Sequence, residues 1–219
     1  MKLEKEKKFD LLSKDLTFLM TPCYFAPISH WSIIKHGNIV WETNENYTKQ
    51  SLRNRAYILG PNKVLKLIIP IKHLSHKTPL NKTLIDNTFN WQKHHLAALK
   101  TSYNSSPFFE YYRDELINFY SQKFSKLIDL NYMSINLILN WLNIKLVINE
   151  TKSYIKSPSG ITDKRIMSNK RFADNFTTKP YTQVFSKHKR DFKNNLSILD
   201  LIFNMGPESL NYLTKKSRP

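Results

Sequence analysis

Leu16-Thr17-Phe18-Leu19-Met20, continuing as Thr21-Pro22-Cys23-Tyr24-Phe25-Ala26-Pro27 and then Ile28-Ser29-His30-Trp31-Ser32-Ile33-Ile34, is the stretch that decides the fold. Five residues dominated by Leu, Phe and Met, too few for a helix, read as a core strand. The two prolines at 22 and 27 then exclude regular structure until a helix starts at about Ile28. Ile33 and Ile34 face the core from that helix. A strand, an irregular loop and a helix in this order open an α/β chain.

The same reading extends outward. Asn38–Glu42 is a second short strand, and Arg53–Leu59 with Val64–Ile71 forms a hairpin across Gly60-Pro61-Asn62. The apolar run Val64, Leu65, Leu67, Ile68, Ile69 suggests a central strand. From Thr88 the period becomes helical: Trp91, His95, Ala98 and Leu99 share a face as far as Tyr103, where Asn104-Ser105-Ser106-Pro107 stops it. Phe108–Tyr120 and Leu127–Leu142 are further helices, Lys145–Ile148 is a strand, and Ser197–Phe203 and Glu208–Leu213 are closing helices. The predicted architecture is α/β: a mixed central sheet with an N-terminal strand-loop-helix unit, a β-hairpin and a helical C-terminal half. Residues 1–14 read as a flexible charged leader. Residues 15–219 read as a single α/β domain, whose segment Thr151–Thr178 is a long exposed loop contributing little to the core.

With 219 residues and 41 % hydrophobic content the chain can bury a real core, which argues against disorder as its main state. One cysteine, Cys23, allows no intramolecular disulfide and fits a reducing compartment. Leu16–Met20 is too short for a signal or a membrane span, so a cytoplasmic location is expected and no membrane partner. The formal charge of +17 invites a nucleic-acid reading. Lys greatly outnumbers Arg, however, Ile and Asn are abundant and Gly is only 4, the profile that an AT-rich genome writes into neutral surface positions. The basic residues do not interleave with aromatics as a stacking platform requires, so no specific nucleic acid is expected.

The densest polar run is Glu42 to Arg55, which includes Glu45, Asn46, Lys49, Gln50, Arg53, Asn54 and Arg55. Lys49, Arg53 and Arg55 offer a fork-like grip on phosphate or carboxylate. On a strand, Arg53 and Arg55 share one face and Asn54 takes the other. The plain alternative is a solvated loop. Closely spaced cations require an anion or a carboxylate among them, so these side chains are expected in one pocket with Lys49 and at least one of His30, His94 or His95.

Tyr24, Ser29 and His30 lie at or near a helix N-terminus, where unpaired amides attract anions and a His can act as acid; a packed polar residue is the alternative. Cys23 has no His or carboxylate at a catalytic spacing and reads as core. His94 and His95 are adjacent on a helix, so they point about 100° apart and do not chelate one ion. No metal site and no cofactor is specified. Tyr181 and Gln183 lie in a mixed polar and apolar run, Asn195 is an N-cap for the next helix, and Asp200 is a partner for a buried Arg.

Five separated blocks resemble a family: 24–31, 45–55, 91–95 continuing to Tyr103 and 106–112, 181–185, and 195–208. Together they are similar to the WbqC-like proteins, over about Leu19 to Leu213. The resemblance implies a setting in O-antigen and other surface-polysaccharide gene clusters, and a transferase acting on a phosphate-bearing activated sugar, extending to acyl or aminoacyl transfer to an amino sugar. It supports a functional role for the cluster Lys49, Gln50, Arg53, Asn54 and Arg55, and the candidate substrate-binding residues are these with Tyr24, Asn46, His94, Tyr181 and Gln183. His30, Glu45 and His95 are the candidate acids or bases. Compared with longer members, the segment Thr151–Thr178 is short and Lys-rich and lacks an extra βα unit. Two rival functions stand beside this one: a non-catalytic module for an anion, RNA or glycan, and an enzyme resembling nucleotidylyltransferases, whose HIGH-type loop is matched only by His30. The expected partner is a small phosphate-bearing or anionic ligand; the oligomeric state is not specified.

Overall fold

A computed structural model describes residues 16–73, 77–186 and 191–214. Strand β1, Phe18–Met20, emerges where the apolar run predicts it, and helix α1, Ile28–Ile34, starts one residue after Pro27. Strand β2, Ile39–Trp41, returns parallel to β1 with Phe18 opposite Ile39 and Met20 opposite Trp41. The first three elements are therefore a β-α-β unit. Its buried face carries Met20, Trp31, Ile34, Ile39 and Trp41, all within 1 % of full burial.

Asn195 serves this unit rather than its own helix. Its side-chain oxygen accepts from the Ser29 backbone N–H at 2.9 Å, and its amide donates to the Ser29 hydroxyl at 3.0 Å. Pro27 offers no side-chain cap, so Asn195 satisfies a helix-start donor from 166 residues away. The expected N-cap role falls to Ser197, whose hydroxyl accepts from Leu199 N–H at 3.3 Å.

Two further short strands complete the parallel sheet. Strand β5, Asn149–Glu150, pairs with β2, and β6, Thr162–Asp163, pairs with β1, giving the order β5-β2-β1-β6. The expected strand at Lys145–Ile148 is displaced to Asn149–Glu150: Val147 is 74 % exposed, and sheet pairing begins where Val40 and Trp41 offer partners. Strands β3, Arg55–Leu59, and β4, Val64–Ile68, form a separate two-stranded antiparallel sheet. Parallel and antiparallel pairing are thus divided between two sheets of an α/β fold. The run at Val64–Ile69 does not make a central strand, because among the described residues β4 pairs with β3 alone; Ile68 is 41 % exposed and Leu67 is buried.

Helices α2, Trp91–Tyr103, α3, Phe109–Ser121, and α4, Leu127–Trp141, follow, and α6, Ile198–Met205, and α7, Glu208–Thr214, close the described chain. Gly206 ends α6 with φ near +52°, and a Cβ there would meet the Phe108 ring, so only glycine fits. One cluster of buried side chains runs from Met20 through the helices to Leu213. None of the helices among the described residues is long and apolar enough to cross a membrane.

The segment 151–178 is more than a surface loop. It holds β6, a helical turn at Arg165–Ser168 and helix α5, Lys170–Asp174. Met167, Ser168, Ala173 and Thr178 are buried. Lys164 N–H donates to Leu19 O at 2.8 Å and Leu52 N–H to Ser168 O at 2.9 Å, tying the segment to β1 and to the polar run. Backbone pairing, which leaves no hydrophobic period, holds it in place. The predicted leader at 1–14 lies outside the described residues.

Candidate functional site

The chain leaves β2 into Glu42, a fully buried carboxylate. Its oxygens accept from Asn44 N–H at 2.8 Å, the Thr151 hydroxyl at 2.9 Å and Ile155 N–H at 3.0 Å. Three donors offset the desolvation of a buried charge and pin residues 151–155 beside the polar run. Three residues later Glu45 Oε1 meets Arg53 at 2.5 Å and also accepts from the Thr21 hydroxyl. The Arg53 side chain is 6 % exposed, so this ion pair is largely shielded from water. Asn131 fixes the backbone here, donating to Arg53 O at 3.0 Å and Pro22 O at 3.1 Å.

Period-two alternation then sets directions. The expected strand from Arg53 begins at Arg55: Arg53 and Asn54 lie in the turn before it, where Asn54 donates to Ile69 O at 2.8 Å, while Arg53 lines a common cavity with Arg55 and Tyr57, which alternation puts on one face of β3. Strand pairing puts Lys66 opposite Tyr57, and the cavity includes it. The far wall is the 163–171 segment. Arg165 is held by Asp163 at 2.6 Å and donates to Ile155 O at 2.7 Å, with its guanidinium 5.4 Å from the Tyr154 ring centre. That hydrogen bonding holds the Asp163 carboxyl below its usual range. Lys170 pairs with Asp174 and lies 4.6 Å over the Tyr57 ring. Burial, and then the neighbouring Lys66 charge, lower its pKa.

The open cavity has a volume of about 810 Å³, within the range of a small-molecule pocket. Lys49, Arg53, Arg55, Lys66, Arg165, Lys170 and Arg171 line it, against the carboxylates of Glu45 and Asp163. Both carboxylates are engaged by arginines. Among the described residues, Lys49, Arg55, Lys66 and Arg171 form no ion pair. Burial also strands the Nε atoms of Arg53 and Arg55 without a hydrogen-bond partner.

Five of the residues singled out from sequence line this cavity: Glu45, Lys49, Gln50, Arg53 and Arg55. The others lie elsewhere, and the expectation of a histidine beside the cations is corrected. His30, on α1, is 2 % exposed, its Nδ1 has no partner among the described residues, and burial pushes its pKa down to about 3. A histidine so placed holds no phosphate, which removes the basis of the HIGH-type likeness. His95 is buried, with Nε2 on Ile68 O at 3.1 Å and Nδ1 on the Tyr24 hydroxyl at 3.0 Å. Tyr24 in turn meets the Tyr120 hydroxyl at 2.5 Å, and burial pushes the His95 pKa down to about 4. Tyr24 and His95 are therefore spent on each other. His94 is exposed on α2, and Asn46 is an exposed residue bridging Pro79 through its backbone. Tyr181 and Gln183 both bond Asp200, Gln183 at 2.8 Å, and Tyr103 completes the set at 2.8 Å. Asp200 thus takes hydroxyl and amide donors in place of the expected arginine. Cys23 is buried, its thiol pushed up to about 12, in keeping with a core role.

Tyr57, Lys66, Arg165, Lys170 and Arg171 complete the site without having been singled out from sequence. Tyr57 and Lys66 were legible in principle, since the strand period puts Tyr57 on the face of Arg55, and the hairpin register puts Lys66 across from it. The run Arg165-Ile166-Met167-Ser168-Asn169-Lys170-Arg171 carries a basic cluster but no period. Its place depends on β6 pairing with β1 more than 140 residues away in sequence.

Every cavity-lining residue falls within residues 22–176, which match the model of the WbqC-like protein family. The chain belongs to the WbqC-like protein family. A curated relative in Mycobacterium tuberculosis (strain ATCC 25618 / H37Rv), uncharacterized protein Rv1507c, is 27 % identical over 198 residues, covering 76 % of this chain and 83 % of its own. No solved structure matches. For this WbqC-like chain, function is therefore argued from the cavity itself.

Proposed function

We propose that the cavity binds a phosphate-bearing activated sugar and that the protein is a transferase acting on it in surface-polysaccharide biosynthesis, extending to acyl or aminoacyl transfer to an amino sugar. One observation carries the ligand class: four unpaired cations line a concave site whose two carboxylates are already matched. Like charges this close repel, and an anion relieves them. Lys49 and Arg55 neutralise phosphate, Arg55 with a planar fork suited to two oxygens. Gln50 reads a hydroxyl or amide. Half-buried Tyr57 and exposed Ile166 supply apolar surface for a sugar or base. Glu45 is the acid or base of this reading, because His30 and His95 lie outside the cavity. Thr21 and Arg53 both engage its Oε1, leaving Oε2 to take a proton from an attacking amine or hydroxyl. The polysaccharide setting is the one that the family resemblance implies.

A thermal-shift screen against nucleotide sugars, nucleotides and acyl-CoA tests the binding step. A ligand at a hundred times its dissociation constant stabilises by about 2.7 kcal/mol. Mass spectrometry of the hit after incubation with acyl and aminoacyl donors tests the transfer. A hit that stays chemically unchanged with every donor would reduce the protein to a binding module, and a screen without any hit would sink the reading.

A further inference from the structure

We propose that the cavity takes the diphosphate of its ligand free of magnesium, with Lys and Arg side chains meeting the charge that a divalent ion meets elsewhere. This rests on the anion-site reading above. Magnesium at a phosphate is ordinarily anchored to protein through one or two carboxylates. The cavity has Glu45 and Asp163, and neither is disposed to serve. Glu45 Oε1 is shared by the Thr21 hydroxyl and the Arg53 guanidinium, the latter at 2.5 Å. Asp163 accepts from Arg165 Nε at 3.0 and 3.2 Å, from its terminal nitrogen at 2.6 Å and from its backbone N–H at 3.0 Å. Recruiting Asp163 to a metal means breaking a charge-assisted pair and releasing one more cation beside the incoming ion, and Glu45 could offer only Oε2, with the Arg53 guanidinium held 2.5 Å from its other oxygen.

The cations themselves are set out for a ligand carrying more than one phosphate. Lys49 comes from the loop after β2, Arg55 from β3, Lys66 from β4 and Arg171 from α5. Arg55 lies opposite Ile68 and Lys66 opposite Tyr57, so Arg55 and Lys66 are diagonal neighbours on one face of the hairpin. Such neighbours are roughly 7–8 Å apart at the backbone, within reach of a single phosphate group for side chains of this length. Lys49 and Arg171 approach from other segments and are available to a second phosphate. Magnesium removes two negative charges from a diphosphate, and so removes attraction from all four cations at once while adding its own repulsion. The metal-free anion is the better match.

Isothermal titration of the full chain with inorganic pyrophosphate and with uridine diphosphate, at about 0.2 M salt to suppress loose polyanion binding, separates the possibilities. Each probe is titrated in EDTA and in saturating magnesium chloride. Binding about tenfold tighter in EDTA is expected. In Lys66→Ala and Arg55→Ala, whose folding is checked by circular dichroism, the EDTA arm weakens and the gap narrows. Equal or tighter binding with magnesium overturns the inference and leaves the anion site standing. A gap that survives unchanged in both variants also overturns it, since the selectivity then comes from elsewhere. No binding of either probe in either buffer overturns the anion-site reading, and this inference with it.

Discussion

Around Asp200 and around Arg55 the chain gathers similar polar side chains and finishes them in opposite ways. Asp200 is fully buried; two tyrosine hydroxyls and the Gln183 amide fill its oxygens, and Tyr103 passes the network on by accepting from Leu59 N–H at 3.2 Å. Each donor has its acceptor inside the protein. The cavity around Arg55 instead keeps four cations without ionic partners among the described residues, and two carboxylates that are already matched. Closed satisfaction marks polar residues that hold the fold, whereas under the proposed function a surplus of one charge in a concave site is kept for a ligand. The His95–Tyr24–Tyr120 chain belongs with the first kind.

The strongest way to break this comparison is Asp200→Ala. It leaves two hydroxyls and an amide unsatisfied in the core, and should lower unfolding stability by about 4 kcal/mol in urea titrations. A loss under about 1 kcal/mol would mean that the network is not closed as described. Acid should act next. Burial holds His95 near pKa 4 and His30 near 3 in the folded chain, below the value of 6.5 for the free side chain. The unfolded chain therefore binds more protons below pH 6.5. Stability present above that pH is lost as pH falls towards 4, by on the order of 3 kcal/mol for His95 alone. Denaturant midpoints from pH 7 to 4 measure this, and His95→Phe should flatten the slope. A slope unchanged by that substitution would remove His95 from the explanation.

Smaller still is Asn195→Ala, which deletes the acceptor for the Ser29 amide and should cost about 2 kcal/mol with an unaltered denaturant slope. The smallest stability effect sharpens the contrast from the other side. Lys49→Ala and Arg55→Ala should change stability by no more than about 0.5 kcal/mol while abolishing the thermal shift produced by a phosphate-bearing ligand. Unfolding in Arg55→Ala would move the cavity into the structural class and undo the comparison.

Part of the candidate site was legible because the physics is local. Arg55 and Tyr57 reach one cavity by alternation, and Arg53, Lys49, Gln50 and Glu45 sit in the polar run that leads into it. The histidines misled because a lone imidazole at a helix start or on a helix face has the same sequence signature whether it meets water or core. Burial is decided by tertiary packing: His30 is buried on α1, and Tyr24 and Tyr120 close over His95.

The sequence by itself determined the elements that rest on short-range rules: β1 and the proline-bounded loop after it, the hairpin, the amphipathic helices and the basic character of the polar run. Hydrophobic period and turn chemistry act over a few residues and need no partner to be read. Only the tertiary structure decided that β5 and β6 flank the β1-β2 pair, that Asn195 caps α1, and that Arg165, Lys170 and Arg171 stand across from Arg55. Two-residue strands and single side-chain caps gain their energy from one distant partner each. That energy leaves no periodic trace in the chain that carries it.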